Sequence, residues 1–281
     1  MKLLRYGSPG NEKPGLLGSN GEIRDLSGIV GDITGEVLSD EGLAKLANLD
    51  PASLPVVDGN PRLGPPVSGV QKFIGIGLNF TDHAKEAGLP IPDEPILFTK
   101  AVSSLSGPND DIVYPPGAVK GDWEAELAFV IGKKAKHVAE ADALSYVAGY
   151  AVCNDVSERG YQFDSTGDWC KGKSHDSWGP VGPWLVTRDE IPDPQNLGIW
   201  LDVNGERMQD GTSATMIFSV AHLVSYVSRF MTLYPGDIAT TGTPPGVGMG
   251  RKPQRWLKDG DVITLGVEGL GEQRQKVILQ Q

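Results

Sequence analysis

Apolar residues in this chain fall into short runs broken by glycine, proline and acidic residues. Most of the runs are rich in β-branched side chains and bounded by turn formers, the signature of strands. LLRYG and KPGLLG predict two short strands, and GEIRDLSGIV a strand followed by a polar loop. QKFIGIGLNF predicts a strand leading into a turn. ILFTK, ELAFVIG, GYAVCNDV, PWLVT, LGIWLDVNG, DIATTG, VITLGVEG and QKVILQ complete the strand set. Helical spacing is rarer. In LSDEGLAKLANLD, Ser39 is a helix cap, and Leu43, Leu46 and Leu49 recur three apart. A longer helix is expected between Thr212 and Phe230, where Met216, Ile217, Val220, Leu223, Val224, Val227 and Phe230 approximate an amphipathic stripe. Short helices are expected near 82–88 and 140–147. The Pro- and Gly-rich stretch PVVDGNPRLGPPVSG reads as a connection. It divides the chain into a small N-terminal domain, 1–65, and a larger domain, 66–281. No strand–helix–strand rhythm runs through the chain, so a doubly wound sheet or a βα-barrel is not expected. The expected class is mixed α/β, strand-rich, with mixed or antiparallel sheets.

Composition narrows the function classes. The 281 residues carry 25 basic and 36 acidic side chains, a net charge of −11. A nucleic-acid binder needs a basic footprint, and the densest basic stretch, Lys133, Lys134 and Lys136, is short and lacks interleaved aromatics. No apolar run is long enough to span a membrane. MKLLRYGSPGNEK has no secretory signal character, so a cytoplasmic protein is expected. Cys153 and Cys170 are the two cysteines, too few for a disulfide framework. Gly75-Ile76-Gly77 follows a strand, but Phe80 stands where the dinucleotide fingerprint needs its third glycine.

Four stretches concentrate chemistry. In Asp122-Trp123-Glu124-Ala125-Glu126, the two glutamates are two apart at the start of an apolar strand and share a face. Like charges so placed repel unless one is protonated or a cation lies between them; on an edge strand both would simply face water. Asp155 ends the strand GYAVCNDV, as a further ligand or as a turn residue. Together Glu124, Glu126 and Asp155 make a set of hard oxygen donors suited to Mg²⁺ or Mn²⁺, with Ca²⁺ sharing the preference. Arg159, Gln162 and Lys173 follow in the chain as candidate anion partners or surface residues. In Asn79-Phe80-Thr81-Asp82-His83-Ala84-Lys85-Glu86, a short helix brings His83 and Glu86 together at i,i+3. A carboxylate on one imidazole nitrogen raises the basicity of the other, the arrangement of a general base; a surface ion pair has the same spacing. Thr240-Thr241-Gly242-Thr243-Pro244-Pro245-Gly246 offers hydroxyl and backbone N–H groups to a carboxylate, or is a tight turn. His175 is a further candidate base.

GIGLNFTDHAKEAG, PILFTK, GDWEAELAFVIGK, GYAVCNDVSERGYQ, GKSHDSWGPVGPWLVT and PGDIATTGTPPGVG resemble, in order, the motifs of the fumarylacetoacetate hydrolase family over roughly residues 70–280. The resemblance is to a bacterial two-domain branch that includes hydrolases of 2,4-diketo-3-deoxy-L-rhamnonate or fuconate. It implies a mixed β-roll or sandwich, with a lid carrying the His and Glu. It implies Glu124, Glu126 and Asp155 as metal ligands, His83 and Glu86 as the water-activating pair, and Lys173 as a catalytic lysine near the metal. Arg159, Gln162 and Thr243 fall on substrate-binding positions, and a homodimer is expected. Two departures stand out. Phe80 replaces a frequent Tyr, and Ser174-His175-Asp176-Ser177-Trp178 replaces the usual sequence after the lysine, where His175 and Trp178 are expected to reshape the pocket.

The implied reaction is hydrolysis of a C–C bond in a 2,4-diketo acid, an acylpyruvate, to pyruvate and a carboxylic acid. The favoured substrate is a sugar acid such as the L-rhamnonate derivative. Oxaloacetate decarboxylase, 2-hydroxyhepta-2,4-diene-1,7-dioate isomerase and ureidoglycolate lyase use related sites and are the alternative activities. A metal-dependent binding protein is the non-enzymatic alternative.

Overall fold

The computed structural model describes residues 1–164 and 166–280. In chain order the strands are β1 (Lys2–Tyr6), β2 (Lys13–Leu17), β3 (Ile23–Asp25), β4 (Leu63–Gly64), β5 (Phe73–Gly77), β6 (Ile96–Lys100), β7 (Leu105–Ser106), β8 (Ile112–Tyr114) and β9 (Gly121–Asp122). They continue as β10 (Ala125–Ile131), β11 (Val147–Asn154), β12 (Ser157–Glu158), β13 (Gly179–Thr187), β14 (Gly198–Val203), β15 (Glu206–Thr212), β16 (Ile238–Thr240), β17 (Val262–Val267) and β18 (Gly271–Leu279). The α-helices are α1 (Asp40–Ala47), α2 (Thr81–Ala87), α3 (Arg159–Phe163), α4 (Trp169–Lys173) and α5 (Val220–Phe230).

A large mixed sheet runs β3-β2-β1-β13-β11-β10-β16-β5-β6, and a second sheet runs β15-β14-β17-β18-β8. Strands β10, β11 and β13 lie against β14, β17 and β18, which makes the two sheets a sandwich. The mixed, strand-rich class expected from the pattern is the one observed.

β10 and β11 are the centre of the molecule and are buried along their whole length. Alternate residues serve two different cores, as a period of two requires. Ala125, Leu127, Phe129 and Ile131 enter the core shared with the second sheet. Ala128 and Val130 enter another with Leu3, Leu16, Leu26 and Ile33 of the N-terminal segment. This double burial is why ELAFVIG reads as a continuous apolar run rather than an alternating one. It also makes Glu126, fully buried within β10, an exception that needs a reason. The N-terminal strands join the large sheet through β1, which pairs antiparallel with β13 at Lys2–Val186 and Leu3–Leu185.

Ser39 caps α1 by accepting from the Gly42 amide at 3.1 Å, as expected. The long helix is shorter than its apolar spacing predicts. β15 continues to Thr212, and α5 begins only after Ser219, whose hydroxyl accepts from the His222 amide. Met216 instead bridges to Phe80, and the Ile217 amide donates to the Asn79 carbonyl at 2.7 Å. The short helix expected near 140–147 is present as a 3₁₀ helix over Glu140–Tyr146. The strand expected at PWLVT begins earlier, at Gly179, as β13. No helix among the described residues is long and apolar enough to cross a membrane.

Candidate active site

The site forms where β10 and β11 run antiparallel, with Ala125 opposite Asn154. That register sets Glu124 and Glu126 beside Asp155, one residue past the end of β11. The Asp155 amide donates to the Glu124 carbonyl at 2.9 Å, which closes the three carboxylates into one corner. Ligand oxygens from the three side chains lie within 4.8 Å of one another, and all three residues are buried. Buried amides fix the corner from behind. Asn154 accepts from the Glu124 amide at 3.1 Å, and Gln209 of β15 accepts from the Ala125 amide at 2.9 Å.

Cations surround the corner. Lys173, the last residue of α4, sets Nζ 2.7 Å from Glu124 Oε2 and 2.8 Å from Asp155 Oδ2. Arg159 donates from Nη2 to Glu124 Oε1 at 2.6 Å, from Nε to Asp122 Oδ2 at 2.8 Å and from Nη1 to Gln162 Oε1 at 3.0 Å. Three of the five guanidinium N–H groups are thus committed within the protein. Lys100, at the end of β6, reaches Asp155 Oδ1 at 2.7 Å and the Lys173 carbonyl. Four acids, Asp122, Glu124, Glu126 and Asp155, therefore face three bases, Lys100, Arg159 and Lys173.

The excess falls on Glu126. Burial, and then the charges of Asp155 and Glu124, push its carboxyl well above the usual carboxylate range. Burial acts the same way on Glu124, but Lys173 and Arg159 outweigh it and hold that carboxyl down at about 2. Burial opposes the charged forms of Lys173 and Arg159, yet the surrounding carboxylates raise both above their ordinary values. Glu126 Oε2 accepts from the Gly242 amide at 2.9 Å, whereas its Oε1 is buried without a partner. The buried Thr240 hydroxyl is close enough to act against that rise in the Glu126 carboxyl. An orphaned, fully buried carboxylate oxygen beside two more carboxylates fits a hard divalent cation. Such an ion would supply the missing charge and the missing partner together. Gly242 takes φ +85°, and a Cβ there would come within 2.9 Å of the Asn79 side chain. That glycine is what lets the loop amide reach Glu126.

His83 and Glu86 lie on α2 as expected, with Nδ1 3.0 Å from Glu86 Oε2. Glu86 Oε1 accepts from the Gly246 amide at 2.9 Å, which ties α2 to the loop after β16. His83, Glu124, Glu126, Arg159, Gln162, Lys173 and Thr243 line one cavity of about 140 Å³. Of the nine site residues the family resemblance implies, all except Glu86 and Asp155 thus line it, and those two lie directly behind His83 and Lys173. The Thr243 hydroxyl is already engaged, donating to the Ala125 carbonyl at 2.9 Å and accepting from Gln209 at 2.7 Å.

His175 and Trp178 do not line the cavity, which corrects the expectation that they reshape it. Trp178 is fully buried, donates to the Val113 carbonyl and packs on Tyr114. His175 packs against Trp178 with ring centres 5.0 Å apart and the planes tilted by 38°. Sequence reasoning missed Lys100 and gave Asp122 no role. Asp122 accepts from the Gly248 amide at 2.6 Å and the Met249 amide at 3.1 Å as well as from Arg159. A lysine ending the strand ILFTK was the available signal for Lys100.

This buried acidic triad is able to chelate a divalent cation. Residues 72–278 match the fumarylacetoacetate (FAA) hydrolase C-terminal family, and the chain belongs to that family. It is 62% identical over 276 residues to a Burkholderia multivorans protein named "Putative hydrolase", covering 98% of each chain. A fumarylacetoacetate hydrolase from psychrophilic Exiguobacterium antarcticum superposes with a TM-score of 0.87 at 34% identity, over 100% of both chains. A maleylpyruvate hydrolase from Sphingobium sp. SYK-6, solved with manganese(II) and pyruvate, gives 0.84 at 30% identity, also over 100% of both chains.

Proposed function

We propose that the protein is a metal-dependent hydrolase of 2,4-diketo acids that releases pyruvate and a carboxylic acid. The observation that carries this reading is the joining, in one cavity, of the Glu124–Glu126–Asp155 corner and the His83–Glu86 pair. The related maleylpyruvate hydrolase, with its manganese and pyruvate, supports a pyruvyl group at this end of the cavity. A divalent cation held by Glu124, Glu126 and Asp155, Mg²⁺ or Mn²⁺ by their hard oxygens, would supply Lewis acidity against the negative charge that develops on the pyruvyl oxygens.

The protein's own groups account for the rest. Glu86 holds the Nδ1 side of His83, leaving Nε2 to take a proton from water. The water oxygen bonds to C4, the C3–C4 bond breaks, and its electron pair passes to the pyruvate enolate. A proton returns to C3, and Lys173, charged and beside the carboxylates, is placed to stabilise the enolate and supply that proton. Arg159, with Gln162, fixes Glu124 and offers its remaining N–H groups to the substrate carboxylate.

The sugar-acid substrate favoured by the sequence resemblance stays within this class, as does the homodimer. Isomerase chemistry is the second reading. A 5-carboxymethyl-2-hydroxymuconate delta-isomerase from Mycobacterium smegmatis superposes at a TM-score of 0.78 with 30% identity. The test is to strip the protein of metal, restore Mg²⁺ or Mn²⁺, and follow pyruvate release. The panel is acetylpyruvate, fumarylpyruvate, oxaloacetate and a 2,4-diketo-3-deoxy sugar acid. Metal-dependent pyruvate release from a diketo acid is expected. Carbon dioxide from oxaloacetate alone, or an isomerised product without cleavage, overturns the reading.

A further inference from the structure

We propose that the outer half of the cavity is an acyl-binding subsite for an apolar, aryl-sized group, and that Trp169 is its specificity-determining wall. The proposal rests on the diketo-acid reading of the floor and names the chemistry of the group beyond C4.

The wall is built into the strand that carries Gly75-Ile76-Gly77. The two glycines are two apart on β5 and so share a face. A Cβ at Gly75 would lie 2.0 Å from the Phe98 ring, and one at Gly77 would lie 2.5 Å from the Trp169 ring. Both rings therefore rest directly on bare backbone, and no larger residue fits under either. The rings meet each other at 5.3 Å, and Phe163 closes edge-on against Trp169 at 6.0 Å. The glycine pair that imitates a nucleotide motif is the seat of an aromatic wall.

Floor and wall are continuous. Trp169 and Lys173 stand one turn apart on α4, and Lys173 Nζ lies 5.2 Å from the Phe98 ring centre. A pyruvyl end at the carboxylates thus directs the group beyond C4 toward Trp169. At the rim, Leu89 is 53% exposed, Phe163 45% and Ile96 37%. Three large apolar side chains left half in water around one opening gain by covering a ligand. The polar groups lining the cavity are held at the floor. The Thr243 hydroxyl and Gln162 Oε1 are engaged within the protein. A polyhydroxylated tail lying along Phe98, Trp169 and Phe163 would meet mainly ring faces, which replace few of the hydrogen bonds it makes to water.

The test compares two uncleavable ligands on the Mg²⁺-loaded wild-type protein by calorimetry: 4-phenyl-2-oxobutanoate and 2-oxobutanoate. The phenyl ligand is expected to bind about 10- to 100-fold tighter. Benzoylpyruvate is expected to exceed both acetylpyruvate and a 2,4-diketo-3-deoxy sugar acid in kcat/KM. Trp169→Ala should collapse the phenyl preference, and Gly77→Ala should reduce it by displacing the ring without altering a polar group. Equal binding of the two ligands, a preference for the sugar acid, or an unchanged preference in Trp169→Ala overturns the subsite. Cleavage of acetylpyruvate with no aryl preference overturns the subsite and leaves the hydrolase reading standing. Aryl-selective binding with no diketo acid cleaved does the reverse.

Discussion

Glu126→Gln separates the metal site from ordinary core packing. In the metal-free protein the Glu126 carboxyl, buried against Asp155 and Glu124, is pushed toward its neutral form, and glutamine copies that form in shape and charge. The amide oxygen can keep the Gly242 N–H bond now made at 2.9 Å, and the NH₂ can donate toward the neighbouring carboxylates where Oε1 has no partner. Metal-free stability is therefore expected to stay within about 1 kcal/mol of wild type or to rise, because an orphaned polar atom costs about 1–3 kcal/mol. Metal-linked stability should behave oppositely. A cation at about a hundred times its dissociation constant stabilises a protein by about 2.7 kcal/mol. In a chain of this size that is a Tm rise of about 5 °C. The assay is thermal unfolding of both proteins in EDTA and in excess Mg²⁺ or Mn²⁺. The wild type should show the metal shift and Glu126→Gln should lose most of it. A variant that unfolds several degrees lower in EDTA yet retains the metal shift would refute the assignment.

Other consequences follow from the same geometry. Lys173→Met keeps the side-chain stem but leaves Glu124 and Asp155 without the ammonium between them. The metal-free variant should lose about 3–5 kcal/mol, and divalent cation should restore much of it, giving a larger metal shift than wild type. An equal loss with and without metal contradicts this. His83→Gln should lower pyruvate formation about 10²- to 10⁴-fold while the metal shift in Tm persists; full hydrolysis in this variant would remove His83 as the base. Away from the site, burial tends to raise the Asp32 carboxyl, but the Arg5 guanidinium at 2.7 and 3.0 Å holds it below the usual range. A lowered folded-state value contributes stability that is full above the unfolded value, near 3.8, and lost as pH falls through the folded one. Asp32→Asn should therefore narrow the Tm difference from wild type as pH drops below about 4, and a constant difference down the acid limb would contradict the pairing.

The strands were largely legible because each central one carries an uninterrupted apolar run, and double burial demands that run. Elements failed where apolar spacing arose from tertiary contact. Met216 and Ile217 fit a helical stripe yet pair with the turn after β5. The one-turn helices α3 and α4 are too short to show any periodicity; both begin after an acidic cap, Glu158 and Asp168. At the site, the spacing of Glu124 and Glu126 and the closeness of His83 to Glu86 could be read from local geometry alone. Bringing Asp155, Lys100 and Lys173 to those glutamates depends on the β10–β11 register and on where α4 ends, which no local pattern encodes. The aromatic wall stayed hidden for the same reason: Gly77 and Trp169 are ninety-two positions apart and meet only in the folded chain.

Metal-dependent C–C hydrolysis is tested by a product count. Metal-stripped protein is given acetylpyruvate in an NMR tube, and Mg²⁺ is then added. No turnover is expected before the addition, then pyruvate and acetate appearing one to one, with Glu126→Gln silent throughout. Turnover that ignores the metal, or pyruvate without matching acetate, would contradict it.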